Sequence, residues 1–345
     1  MLRLHSAVLC AALLAGLTAC TGEGAEPGLQ PERSAAVSAA PTSTSTSTST
    51  VGLPEVTDEL SLPALMRKEF APGRLRVVAE LGRNAEFIRS RISYRSGKLT
   101  ISGVLLRPRG EGPFPGIVLN HGYIDPSIYG TGQGLRREQG RLARAGFAVL
   151  HTDYRGHADS DAPVNAFDRE SRIGYAEDSI NAVLALKQEP FVDPERMAMF
   201  GRSMGGAVTL NALVVYPGLV QAAVIYSSVS SVFVENVEHF TRPSRPQIAK
   251  DFYNAFGLPE LSPEFYAGLS ARTYFDRITE PIQLNHGSED GTCPYQWSTA
   301  TQQALAHAGV DSELIRWSGE DHAFYAKWAE SMDRSIEYLR ERLRV

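Results

Sequence analysis

Cysteine is scarce in this sequence: three in 345 residues, at positions 10, 20 and 293. That count excludes a disulfide-stapled scaffold, and three scattered thiols cannot build a zinc site. An excess of positive charge is also lacking. Against 39 Asp and Glu stand 34 Lys and Arg, a formal net charge of −5, with no clustered basic surface to engage nucleic acid. Long apolar runs are missing too, and nothing beyond the N-terminus approaches the roughly 18 consecutive apolar residues of a spanning helix. What is present is an ordinary apolar fraction of 43%. It is enough to bury a core, which excludes a wholly disordered chain.

The N-terminus reads as an address. Arg3 and His5 precede the apolar run Ala7–Leu17, too short to cross a bilayer as a helix but suited to a secretory signal. Leu17-Thr18-Ala19-Cys20 resembles the bacterial lipoprotein cleavage box, in which the cysteine becomes the lipidated first residue. Residues 1–19 are therefore expected to be a lipoprotein-type signal peptide. Cys20 is expected to hold the exported protein on the cell membrane, facing away from the cytoplasm. Cys293 alone then remains in the folded part, so no internal disulfide can form there; it is expected to be a small buried or half-buried side chain. Residues 20–60 hold Gly, Glu, Pro and Ala and then alternate Ser and Thr over Thr42–Thr50. Such a composition cannot bury an apolar face and predicts a disordered, solvated tether.

Residues 61–345 are expected to form one domain. Phe87–Tyr94 and Leu99–Arg107 alternate apolar and polar residues on either side of Ser96-Gly97-Lys98, the pattern of a hairpin. Continuous apolar runs follow at Gly116–Leu119, Phe147–Leu150, Met197–Phe200, Ala222–Tyr226 and Ile282–Leu284, with a weaker one at Glu313–Trp317. Runs of this kind suit strands buried on both faces. Between and after them, Tyr175–Gln188, Tyr295–Ala308 and Trp328–Leu343 repeat apolar residues at helical spacing. Alternating strands and helices predict a mostly parallel sheet with helices on both faces. Ser231–Thr279 breaks the rhythm. Its internal prolines forbid a long helix, and its seven aromatics from Phe233 to Tyr266 argue against an exposed loop. A small helical cap insertion over about 231–279 is expected.

The chemistry falls at strand ends. Gly201-Arg202-Ser203-Met204-Gly205-Gly206 follows one strand and opens a helix, the strand–turn–helix setting that gives G-x-S-x-G its meaning. Ser203 is the expected nucleophile, beside a helix N-terminus that favours developing negative charge. A serine hydroxyl needs a base. His322, in Ser318-Gly319-Glu320-Asp321-His322 before the last helix, is placed to supply it. Asp290, in Asn285-His286-Gly287-Ser288-Glu289-Asp290, is the expected carboxylate, with Glu289 and Asp321 as competitors. The order Ser, Asp, His is that of the triad on an open α/β sheet. For the oxyanion, one donor is the backbone N–H of Met204. The second comes from Asn120-His121-Gly122-Tyr123, through either the Tyr123 N–H or the His121 side chain.

Pro113-Phe114-Pro115 leading to Asn120-His121-Gly122, then Asp153-Tyr154-Arg155-Gly156-His157, resembles the α/β-hydrolase superfamily. Val192-Asp193-Pro194-Glu195-Arg196 and the double glycine Gly205-Gly206 look most like the catalytic domain of the prolyl oligopeptidase (S9) group and its dienelactone hydrolase-like esterase relatives. The resemblance implies an α/β-hydrolase fold and a serine hydrolase. It departs from the peptidases in three places: the stretch before Gly103 is too short for their β-propeller, His121 stands where many carry an oxyanion-binding tyrosine, and Ala207 follows Gly205-Gly206 where they often carry an aromatic. Small or medium esters are the expected substrates, with short peptides the alternative and a non-catalytic binding lipoprotein the remote one. Asp153, Tyr154 and Arg155 are expected to be structural supports. The sequence calls for no cofactor and no metal, since no ligand cluster or phosphate cradle occurs in it.

Overall fold

A computed structural model describes residues 52–345. The expected signal segment, Cys20 and the Ser/Thr tract lie outside the described residues. Ser61 caps the short helix Leu62–Leu65, its hydroxyl accepting from the Ala64 N–H at 3.2 Å, and Leu62 and Leu65 are buried.

Nine strands form one sheet: β1 (Arg76–Arg83), β2 (Phe87–Ser96), β3 (Leu99–Pro108), β4 (Phe114–Asn120), β5 (Ala148–Thr152), β6 (Val192–Arg202), β7 (Ala222–Tyr226), β8 (Ile282–Gly287) and β9 (Ser312–Trp317). Their spatial order is β1-β2-β3-β5-β4-β6-β7-β8-β9. The pairs from β1 to β3, and β3 with β5, are antiparallel; every other pair is parallel. This is the α/β-hydrolase architecture, mixed at one edge by the hairpin. The strand absent from the sequence reading is β1. Its residues are exposed on both faces apart from the half-buried Ala79, so no buried period marks it, and two register shifts interrupt its pairing with β2.

The parallel strands are apolar throughout because each face is covered. Ile117 and Leu119 of β4 point into one core layer, with Leu142 from the helix Arg136–Arg144 and Met332, Ile336 and Leu339 from the helix Trp328–Leu343. Val118, between them, points into the other. There it shares a core with Ile180 and Val183 of the helix Ile173–Leu186 and Leu210 and Leu213 of the helix Met204–Val215. Full burial of each such side chain is worth about 1.5–3 kcal/mol, and the two-residue alternation of the strand sets which layer each one joins.

The sheet order reverses at β4. The chain leaves β4 for β5 on one side and returns as β6 on the other, and the carboxyl ends beside such a reversal leave a crevice for ligands. The segment 231–279 is helical, with Phe233–Asn236, Arg242–Ser244, Pro246–Phe256 and Pro263–Gly268 as its α-helices. Pro246 and Pro263 occupy first helical positions, where a missing N–H costs nothing. Phe252 lies within 5.4 Å of Phe233 and 4.9 Å of Phe256 between ring centroids, and Phe256 stacks on Phe265 at 4.4 Å. These rings make a small aromatic core, joined from below by Phe167.

Candidate active site

Ser203 sits between β6 and the helix Met204–Val215 with φ 55° and ψ −122°. A left-handed φ is unfavourable for a residue with a Cβ, and the surrounding bonds hold it there. Its N–H donates to the Tyr226 carbonyl at 2.9 Å, and its carbonyl accepts from Gly206 at 2.9 Å. Gly205 allows the turn, because a Cβ there would lie 1.9 Å from the Asn120 carbonyl oxygen. Arg202, the residue before Ser203, pairs with the buried Glu138 at 2.8 Å; Glu138 also accepts from Trp328 Nε1.

His322 and Asp290 come together from loops after β9 and β8. The Nδ1–H of His322 donates to Asp290 Oδ2 at 2.9 Å. Asp290 Oδ1 accepts from the backbone N–H groups of Thr292 at 2.9 Å and Cys293 at 2.8 Å. Burial opposes the charge on Asp290, yet hydrogen bonds from His286, His322 and the Cys293 N–H together hold its carboxyl below the usual carboxylate range. The His322 loop packs directly on β8: a Cβ at Gly287 would meet the Glu320 carbonyl oxygen at 2.2 Å. Glu320, itself buried, accepts from the Tyr325 and Lys327 N–H groups. Of the competing carboxylates, Asp321 accepts from Ala323 and Phe324 and shapes the loop, and Glu289 is exposed.

Ser203, Met204, Gly122, Tyr123 and His322 line one cavity of about 850 Å3. The cap closes it with Phe233, Val237, Phe240 and Leu269. The loop after β4 lies against the serine: a Cβ on Gly122 would sit 3.1 Å from Ser203 Cβ. Met204 begins its helix, so its N–H has no partner within that helix. The side chain of His121 does not belong to this wall. It is fully buried, with Nδ1 2.6 Å from the Gly122 carbonyl oxygen, and it packs among Tyr129, Tyr154 and His151 at centroid distances of 4.8, 4.5 and 5.4 Å. Burial pulls its pKa down to about 3. A ring committed beneath the loop in this way does not face the cavity as a side-chain donor, whereas Tyr123 lines it.

The supports behind the site are polar. Asp153 accepts from Ser102 Oγ, Tyr129 Oη and the Gly132 N–H at 2.7, 2.7 and 2.8 Å. Arg155 pairs with Asp178, Glu177 and Asp168 at 2.8, 3.0 and 3.1 Å.

Three features escaped the sequence reading. Arg245 of the cap pairs with Glu170 at 2.8 Å, and its guanidinium and that of Arg172 each lie over the Tyr123 ring, 5.6 and 5.7 Å from the centroid. Cys293 is buried as expected, but its place beside the Ser203 hydroxyl was not foreseen, and burial next to the Asp290 charge pushes its thiol up. His286 touches the same carboxylate as His322. Only His286 carried a signal, because it adjoins the Gly287 that lets the two loops meet.

An imidazole backed by an ionised carboxylate, in a cavity with a serine on a strained turn, can run nucleophilic acyl transfer. The chain is 29% identical over 232 residues to the uncharacterized peptidase YuxL of Bacillus subtilis (strain 168), a match covering 64% of this chain and 33% of YuxL. It is 25% identical to the uncharacterized peptidase YtmA of the same organism, covering 68% of this chain and 86% of YtmA. The chain thus spans only a third of the one relative and most of the other. The solved acetyl xylan esterase from Paenibacillus sp. R4 shares its fold, with TM-score 0.61 at 20% identity over 83% of this chain and 96% of the esterase. The pattern of the prolyl oligopeptidase family matches residues 134–344, more than half of the sequence, and the chain belongs to that family.

Proposed function

We propose that this protein is a serine hydrolase in which Ser203 is the nucleophile, His322 its base and Asp290 the carboxylate that orients the imidazole. One observation carries the reading: His322 Nδ1 meets Asp290 Oδ2 at 2.9 Å, in the cavity that Ser203 lines. In this reading His322 Nε2 takes the Ser203 proton as Oγ adds to the acyl carbonyl. The oxyanion is held by the N–H groups of Met204 and Tyr123. The imidazolium then gives its proton to the leaving alcohol or amine, and the acyl-enzyme forms. Water enters, loses a proton to Nε2, and releases the acid while Ser203 recovers its proton. Asp290 stays ionised throughout.

Small or medium esters are the proposed substrates. The cap's apolar wall and the cavity volume support them, being of the size that encloses a small ligand. Short peptides are the second reading, favoured by family membership and by the peptidase names of the relatives. We further propose that Cys20 carries a lipid and holds the exported enzyme at a membrane surface; incorporation of labelled fatty acid, lost in Cys20→Ala, tests this.

A fluorophosphonate probe should label the protein and fail on Ser203→Ala. Absence of labelling on the wild type would leave a binding lipoprotein. Rates on p-nitrophenyl acyl esters are expected to exceed those on aminoacyl- or prolyl-nitroanilides, and the reverse order would assign the peptidase reading.

A further inference from the structure

We propose that His286 is a positioning residue of this centre, holding Asp290 in the one orientation that serves His322. The inference rests on the triad reading above and adds a member to it. His286 is the last residue but one of β8 and is fully buried. Its Nε2 lies 3.0 Å from the Cys293 carbonyl oxygen and 3.1 Å from Asp290 Oδ2; its Nδ1 lies 2.6 Å from Ser298 Oγ. A carbonyl only accepts, so the imidazole proton belongs on Nε2 and the Ser298 hydroxyl donates to Nδ1. That same Nε2, its proton directed at the Cys293 carbonyl, stands against the carboxylate, 3.1 Å from Oδ2.

Asp290 therefore has three hydrogen-bond donors and a buried imidazole packed against it. Two backbone N–H groups hold Oδ1, the His322 Nδ1–H holds Oδ2, and the His286 Nε2 edge lies against the same oxygen at 3.1 Å. A carboxylate satisfied in this way has no competing rotamer, and its position is transmitted to His322. The ionisable groups facing His286 are Asp290, Cys293, Tyr295, whose ring stands edge-on at 5.6 Å, and Arg316, its register partner on β9. Removing His286 frees Oδ2 to swing and returns its full charge to His322, so the imidazolium is held less precisely in space but more strongly in charge. Turnover falls, and the acid limb of the pH profile rises.

The test uses the full chain on p-nitrophenyl acetate from pH 5 to 9, with Ser203→Ala, His286→Phe and His286→Gln beside the wild type. His286→Phe should lower kcat by roughly 10–100-fold with KM within about twofold, and move the acid limb of kcat/KM upward. His286→Gln, whose amide N–H stands near the lost Nε2–H, should recover kcat to within about fivefold of wild type. A folded His286→Phe with wild-type kcat and an unmoved acid limb overturns the proposal. If His286→Phe does not fold, the low-field imidazole proton of His322 in His286→Gln decides: a shifted resonance supports the proposal and an unmoved one overturns it. Activity persisting in Ser203→Ala would overturn the triad reading itself, an outcome separate from any result at His286.

Discussion

Two aspartates stand beside histidines at the strand ends of this sheet, and the fold treats them in opposite ways. Asp153, after β5, is pushed up by burial, against hydrogen bonds from Ser102, Gly132 and Tyr129. The imidazole nitrogen nearest its carboxylate, His151 Nδ1, is 3.8 Å away, too far for a hydrogen bond. Asp290, after β8, is held down despite its burial, with the His322 N–H donating to it and His286 packed against it at 3.1 Å. Burial is common to the two; the donors differ. Hydroxyls and a glycine N–H tie Asp153 into a joint between β3, β5 and the loop at Gly132, with no proton poised to move. Asp290 is coupled to a half-exposed imidazole on the cavity wall, which can gain and lose one.

The largest expected effect separates the two carboxylates directly. Asp290→Asn should lower kcat by about 10^4-fold, because the amide supports the wrong imidazole tautomer. Asp153→Asn should leave kcat within about tenfold and instead cost roughly 1–3 kcal/mol of stability by mispairing buried donors. Equal losses of kcat in the two variants, measured with matched folded protein, would erase the distinction.

Next in size is an acid effect confined to the buried cluster. Burial lowers His121 to about 3 and His151 well below its ordinary 6.5, neighbouring histidines adding to the effect. The unfolded chain therefore binds protons that the folded chain refuses once pH drops below about 6.5. Stability should be constant above that point and fall by about 1.4 kcal/mol per pH unit for each such histidine below it. Asp153, raised when folded, works in the other direction at lower pH; Asp290, lowered when folded, loses its contribution below about 4. Urea midpoints between pH 8 and 5 check this, and His151→Phe should flatten the slope. A midpoint unchanged across that range would mean that the cluster accepts protons while folded.

The smallest effect concerns the cap. Arg245→Ala removes the contact with Glu170 and the stacking on Tyr123, and Arg169 and Arg172 remain near that carboxylate. KM should rise by about 3–10-fold with kcat nearly unchanged. A fall in kcat with constant KM would instead tie Arg245 to the oxyanion loop rather than to substrate.

Much of the sheet was legible because a strand buried on both faces needs an unbroken apolar run, and Met197–Phe200 and Ala222–Tyr226 are such runs. Strand β1 was not, since exposed residues carry no period. The helix Arg136–Arg144 was also hard to see: its charged Arg-Arg-Glu-Gln start buries Glu138 and Gln139 for polar contacts that exist only in the fold. At the site, G-x-S-x-G could be read because the turn's steric demands fall on adjacent residues. The side-chain alternative at His121 could not be settled, because the ring's direction depends on Tyr129, His151 and Tyr154, which are distant in sequence.

The sequence by itself determined the alternation of strands and helices, the serine on its glycine-flanked turn, and the loops where a histidine and a carboxylate could stand. Those follow from local rules: periodicity, chirality and the space a Cβ requires. Only the tertiary structure decided that two histidines stand at Asp290, that His121 turns inward, and that a cap arginine lies over the ring of Tyr123 beside Ser203. Each of these depends on which groups share a desolvated space, and burial converts that proximity into charge, tautomer and orientation.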